Sequence, residues 1–211
     1  MKHMKYVLLL AAISVLAACS STKVTSSWKS PDVSSSSLSM KKVMVAALLP
    51  ERNRELQKSM EKQLVDELKS KGIDAVSAYQ VYGPKYFPQD EHKAINKLQQ
   101  SGIDGFLTIV LLDKNKEQNY NPGYSQLQPL GYYRSWFGYY TTIYGRVYNP
   151  GYYSTQTKYY WESNLYDLPG EKLIYSAQSE SFDPSSVNHL ANDYSGKLIN
   201  DMMKQGLVAK K

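Results

Sequence analysis

The chain of 211 residues has one cysteine, three histidines and four phenylalanines. Each scarcity excludes something. A lone cysteine, Cys19, forbids an internal disulfide, so stability must come from core burial. The histidines, His3, His92 and His189, are too scattered to form the i, i+4 pair of a zinc helix. No serine sits in a Gly-x-Ser-x-Gly elbow. The apolar run Tyr6–Ala18 is 13 residues long, short of the roughly 20 that a helix needs to span a bilayer. The net charge is +6, yet the basic residues are dispersed. A nucleic-acid partner would call for a basic stripe, so none is expected.

What is present begins at the N-terminus. Lys2, His3 and Lys5 precede the apolar run, and Ala17-Ala18 stand directly before Cys19. This is the anatomy of a secretory signal. Leu16-Ala17-Ala18-Cys19 resembles the lipobox of bacterial lipoproteins. That resemblance implies cleavage between Ala18 and Cys19, a diacylglyceryl group on the thiol and an acylated new amino group. The implied partner is a membrane, held through the acyl chains on Cys19. Each buried methylene contributes about 0.8 kcal/mol, and two or more chains give stable anchoring. Ser20, where retained inner-membrane lipoproteins carry aspartate, implies the outer membrane. Loss of Lys2 and Lys5 with the leader would lower the charge from +6 to +4.

Residues 19–40 read as the lipidated cysteine and a serine-rich tether, with Ser34-Ser35-Ser36-Ser37 at its centre. Within it, Lys23–Trp28 alternates enough for a short edge strand, and Trp28 is a candidate anchor onto the domain. From 41 to 211 the pattern is that of one α/β (α+β) domain. Val43–Leu49 is an apolar run expected for a strand buried on both faces. Leu56, Met60, Leu64, Val65 and Leu68 form one stripe of a helix over 51–71, stopped by Gly72. Ile73–Tyr79 and Ile103–Leu112 read as further strands, with a helix over Asp90–Ser101 between them. The joints Leu68–Asp74 and Leu98–Asp104 share one pattern, thirty residues apart. Strand, helix, strand, helix, strand predicts a parallel core. Its first strand exits into Leu49-Pro50-Glu51-Arg52-Asn53, where no glycine admits a phosphate. Tyr159–Leu168 and Glu171–Phe182 predict a C-terminal hairpin across Pro169-Gly170. Val187, Leu190, Tyr194, Leu198 and Met202 predict a last helix packed on the sheet.

The segment 118–158 stands apart. Twelve of the nineteen tyrosines lie between 120 and 160, and Tyr120-Asn121-Pro122-Gly123-Tyr124 recurs as Tyr148-Asn149-Pro150-Gly151-Tyr152. Pro-Gly suits the centre of a type II turn. Between Gln118 and Thr157 the only charges are Arg134 and Arg146. Amphipathic rings of this kind suit a recognition surface for peptidoglycan, polysaccharide or an envelope protein. They equally suit a membrane–water interface, or a glycine- and tyrosine-rich loop resting on its own domain. Tyr132, Tyr133, Trp136, Tyr139, Tyr140 and Tyr144 are the candidate binding residues.

The lipobox, Ser27-Trp28-Lys29-Ser30-Pro31-Asp32, Lys41-Lys42-Val43-Met44-Val45, the helix end at Leu68–Ile73, Leu165-Tyr166-Asp167 and Ile174-Tyr175-Ser176 together resemble the bacterial envelope lipoproteins grouped as domain of unknown function 4136. The resemblance covers most of residues 19–208 and brings no catalytic residue or cofactor with it. The tyrosine-rich insert departs from its plainer members. The reading is therefore a non-catalytic outer-membrane lipoprotein on the periplasmic side. The alternative is a glycan hydrolase drawing two carboxylates from Asp104, Asp113, Glu162, Asp167 and Glu180, which requires two carboxyls roughly 5–9.5 Å apart.

Overall fold

The structure, a computed structural model, describes residues 21–33, 40–84, 91–117 and 156–209. The described strands are β1 (Thr22–Lys29), β2 (Lys42–Leu48), β3 (Asp74–Ser77), β4 (Gly105–Glu117), β5 (Gln156–Asp167) and β6 (Lys172–Phe182). The described helices are α1 (Arg54–Ser70), α2 (Ala78–Tyr82), α3 (Glu91–Gln100) and α4 (Val187–Lys204). The strands form one mixed sheet in the order β1-β6-β5-β4-β2-β3. β2 runs parallel to both β3 and β4, and the other pairs are antiparallel. The expected parallel core, C-terminal hairpin and last helix are all present.

β2 reads as a continuous apolar run because both of its faces are covered. Val43, Val45 and Ala47 face α1 and α4, together with Leu107, Ile109, Trp161, Leu165 and Tyr175. Met44, Ala46 and Leu48 join Phe106, Val110 and Tyr166 beneath α2 and α3, which contribute Ala78, Ala94, Ile95 and Leu98. The stripe Leu56, Met60, Leu64, Val65, Leu68 is buried throughout, and so are Leu190, Tyr194, Leu198 and Met202. Fully burying each such side chain is worth about 1.5–3 kcal/mol. Tyr175 and Tyr194 are large polar-tipped members of this core. The Tyr175 hydroxyl donates to Asp201 Oδ2 at 2.7 Å, and the Tyr194 hydroxyl bonds Ser163 Oγ. Burial raises both phenols far above their ordinary value; the Asp201 carboxylate adds to the rise at Tyr175, while the Ser163 bond opposes it at Tyr194.

The repeated joints are repeated caps. Gly72 and Gly102 have φ of 85° and 70°. In each, the isoleucine amide reaches back to the leucine five residues earlier, Ile73 to Leu68 and Ile103 to Leu98, both at 3.1 Å. That six-to-one bond satisfies a terminal helix carbonyl and needs the left-handed glycine before it. The copies diverge at the next residue. Asp104 accepts from the Lys41 and Lys42 amides at 2.8 and 2.9 Å and fixes the start of β2, whereas Asp74 is exposed.

Three expectations need correction. The strand expected over Ile73–Tyr79 ends at Ser77, because Ser77 Oγ accepts from the Gln80 amide at 3.1 Å and caps α2. The short edge strand expected at Lys23–Trp28 is present and spans Thr22–Lys29, paired antiparallel with β6, so this part of residues 19–40 belongs to the sheet and the expected tether is shorter by that much. Trp28, the candidate anchor, is 38% exposed. The hold is at Thr22, which is buried and whose hydroxyl bonds Ser181 Oγ at 2.8 Å.

Candidate functional site

Of the residues singled out in the sequence, Ala18, Cys19, Tyr132, Tyr133, Trp136, Tyr139, Tyr140 and Tyr144 lie outside the described residues. The structure does place the points from which their segments depart. Ser21 is already tied down. Its carbonyl accepts from the Phe182 amide at 2.7 Å, and its hydroxyl donates to Asp193 Oδ2 at 3.1 Å. The Thr22 amide donates to the same oxygen at 2.7 Å. The insert leaves after Glu117 and returns at Gln156, which oppose each other in the β4–β5 ladder. Thr22 opposes Ser181, and Lys158 opposes both Asn115 and Phe182. The N-terminal segment and the tyrosine-rich insert therefore leave from the same end of the sheet.

Aromatic rings and lysines meet at that end. Lys23 and Lys158 place their ammonium groups 5.5 and 5.7 Å from the centre of the Phe182 ring. Lys114 lies 4.9 Å from the centre of Tyr159. Tyr159 stacks on Trp161 at 5.7 Å and 7°, and the Trp161 indole N–H donates to Ser181 Oγ at 3.1 Å. Lys23 also pairs with Glu180 at 3.4 Å. Each ring–cation contact is worth about 0.5–1 kcal/mol at an exposed site. Their sum stiffens the ends of β1, β5 and β6 where the two segments depart.

The five carboxylates of the hydrolase alternative divide in two. Asp104 caps β2, and Asp167 Oδ2 accepts from the Gly170 amide at 3.1 Å in the β5–β6 turn. Both belong to the far end of the sheet, where they hold turns. Asp113, Glu162 and Glu180 occupy one face, since Tyr160 opposes both Asp113 and Glu180 and lies two residues from Glu162. Glu162 is 3% exposed. Its Oε1 accepts from Asn164 Nδ2 at 2.9 Å, while Glu162 Oε2 and Asn164 Oδ1 have no hydrogen-bond partner among the described residues. Among the described residues no three His, Cys, Asp or Glu side chains converge on a metal position. His189 is an exposed residue in the first turn of α4.

Sequence reasoning missed the most completely bonded carboxylate. Glu61 is fully buried at the carboxyl end of β2 and β3. Its Oε1 accepts from the Ala47 amide at 3.0 Å. Its Oε2 accepts from Ser77 Oγ at 2.5 Å and from the Tyr79 amide at 2.8 Å. Gln57 Nε2 donates to the Ala47 carbonyl at 2.9 Å. Open α/β sheets bind ligands at the carboxyl ends of their strands. Here an internal carboxylate ties the end of β2 to the start of α2 through the Ala47 and Tyr79 amides. The legible signal was Gln57 and Glu61, four apart and beside the apolar stripe.

No protein-family model and no curated protein matches the chain. Solved structures resemble it in chain path. The PelC dodecamer from Paraburkholderia phytofirmans is 12% identical over 90% of this chain and 99% of its own, with a TM-score of 0.48. Lipoprotein GNA1162 from Neisseria meningitidis is 15% identical over 77% of this chain and 98% of its own, with a TM-score of 0.42. A PDZ domain protein from Parabacteroides distasonis is 11% identical over 92% of this chain and 39% of its own, with a TM-score of 0.41. At these values the likeness carries no argument.

Proposed function

We propose that this protein is a non-catalytic lipoprotein of the bacterial envelope, anchored through acyl chains on Cys19 to the periplasmic side of the outer membrane. Its tyrosine-rich insert is the binding element, and its partner is a glycan or an envelope protein. The observation that carries the reading is the lipobox Leu16–Cys19, followed almost at once by a strand of the folded sheet. The carboxylates at the far end of the sheet support the non-catalytic part, because Asp104 and Asp167 are spent on caps.

Two measurements test it. Cys19→Ser should move the protein from the membrane pellet to the soluble fraction. The chain from residue 20 should co-sediment with purified cell-wall sacculi, and replacing Tyr132, Tyr133, Trp136, Tyr139 and Tyr140 with serine should abolish the pelleting. Equal pelleting of both would remove the insert from the proposal. Absence of pelleting in both would turn the search to a protein partner, sought by crosslinking in cells.

A hydrolase is the second reading: Asp113, Glu162 and Glu180 share one sheet face, with Glu162 buried. It predicts release of soluble fragments from sacculi that Glu162→Gln or Glu180→Gln abolishes. Equal release by the variants would end it.

A further inference from the structure

We infer that the domain sits end-on upon the lipid surface, with the sheet end built from Ser21, Lys23, Lys158, Tyr159 and Phe182 resting on phospholipid headgroups. The inference rests on the proposed anchoring at Cys19 and adds the surface that meets the bilayer. The first argument is chain length. Ser20 is the one residue between Cys19 and the hydrogen-bonded Ser21. At roughly 3.3–3.6 Å per residue, the Cα atoms of Cys19 and Ser21 are at most about 7 Å apart. The domain therefore has no leash on which to turn over. β5 runs from Gln156 at this end to Asp167 at the other, about 36 Å at 3.3 Å per residue. A leash this short cannot bring the Pro169-Gly170 end to the membrane in place of the Ser21 end.

The second argument is the chemistry of that end. Phe182 and Tyr159 are half-buried rings with lysine ammonium groups over them. An aromatic body beside a lysine that can extend to the phosphates is the pairing that settles at a membrane–water interface. Lys23, Lys114 and Lys158 are balanced by Asp113, Glu180 and Asp183. A mixed surface of this kind fits headgroups that carry both a phosphate and an ammonium rather than a purely anionic film. Such a contact is weak alone, but a short covalent tether raises its effective concentration into the millimolar range.

The experiment uses the full lipidated protein in phosphatidylethanolamine–phosphatidylcholine vesicles containing headgroup-quencher lipid. Cys19 is consumed by lipid, so an introduced cysteine can be labelled selectively. Ser185→Cys, exposed just beyond β6, reports the near end, and Lys172→Cys, exposed at the β5–β6 turn, reports the far end. The expected result is several-fold stronger quenching of the Ser185 probe. With about twelve Gly/Ser residues inserted after Ser20, a leash of about 20 Å, the contrast should persist, and it should disappear once Lys23, Lys158 and Phe182 are also serine. Equal quenching at the native leash, with the protein pelleting, would overturn the orientation alone. Collapse of the contrast on the long leash would overturn the lipid contact. Failure of the protein to pellet would overturn the anchor and the orientation together.

Discussion

Two buried glutamates make opposite predictions for the same substitution. Glu61 accepts three hydrogen bonds, from the Ala47 amide, the Ser77 hydroxyl and the Tyr79 amide. Glutamine keeps the volume but turns one acceptor oxygen into a donor. Its carbonyl can serve Ser77 and Tyr79, and its NH2 then faces the Ala47 N–H. The change removes one charge-assisted bond, about 1.5–3 kcal/mol, and leaves a buried amide unsatisfied at about 1–3 kcal/mol. Release of the carboxylate from its desolvated site offsets part of this. We expect Glu61→Gln to cost about 2–4 kcal/mol, and Glu61→Leu, which strips all three partners, to cost more. Glu162 is the control. Its Oε2 has no partner among the described residues, so the glutamine amide can keep the Asn164 bond through its oxygen and loses no other. Glu162→Gln should be neutral or stabilising by about 1 kcal/mol. Urea unfolding at unchanged m reads both. The reasoning is refuted if Glu61→Gln lies within about 0.5 kcal/mol of the parent, or if Glu162→Gln is the costlier of the two.

Other expectations follow from the sheet. Removing residues 1–30 takes away β1 and bares the β6 edge, so the remaining chain should lose cooperative thermal unfolding or self-associate; retention of the parent Tm would show β1 to be an accessory strand. Joining Glu117 to Gln156 through Asn-Gly should leave the fold intact, because the two residues already oppose each other. The shorter loop should raise stability by up to about 2–3 kcal/mol from closure entropy, and loss of folding would make the insert part of the core. Alkali should unfold the protein through Tyr175 and Tyr194. Their folded-state pKa values are raised above the ordinary 10.0, so the unfolded chain sheds these protons first. Stability is complete below pH 10 and falls above it, by about 1.4 kcal/mol per pH unit for each phenol. Tyrosinate absorbance should rise cooperatively with unfolding, and Tyr175→Phe should flatten the pH dependence; independent titration of all phenols before unfolding would contradict this.

Much of the fold was legible because the strong signals are periodic. A spacing of four from Leu56 to Leu68 and again from Leu190 to Leu198 marks helices that bury one stripe against a sheet. Gly72 and Gly102 marked their caps because only a left-handed residue completes that bond pattern. β1 was harder to read. Thr22–Lys29 is polar, and an edge strand half in solvent leaves only a faint alternation, enough to mark Lys23–Trp28 as a strand but not to separate it from the serine-rich tether around it. The break at Ser77 was hidden because it depends on Glu61, sixteen residues earlier. Glu61 itself reads as one more charge on an amphipathic helix until the strand ends show what it bonds. The common departure point of the N-terminal segment and the insert is a matter of register between β1, β6, β5 and β4. No local pattern of residues encodes it.

The central claim is anchoring at Cys19, and intact-mass measurement of the protein extracted from membranes by detergent tests it most directly. The account predicts a chain beginning at Cys19 that carries a diacylglyceryl group and a further acyl chain, and a soluble product from Cys19→Ser. An unmodified chain, or one that begins elsewhere and stays on the membrane without lipid, would contradict it.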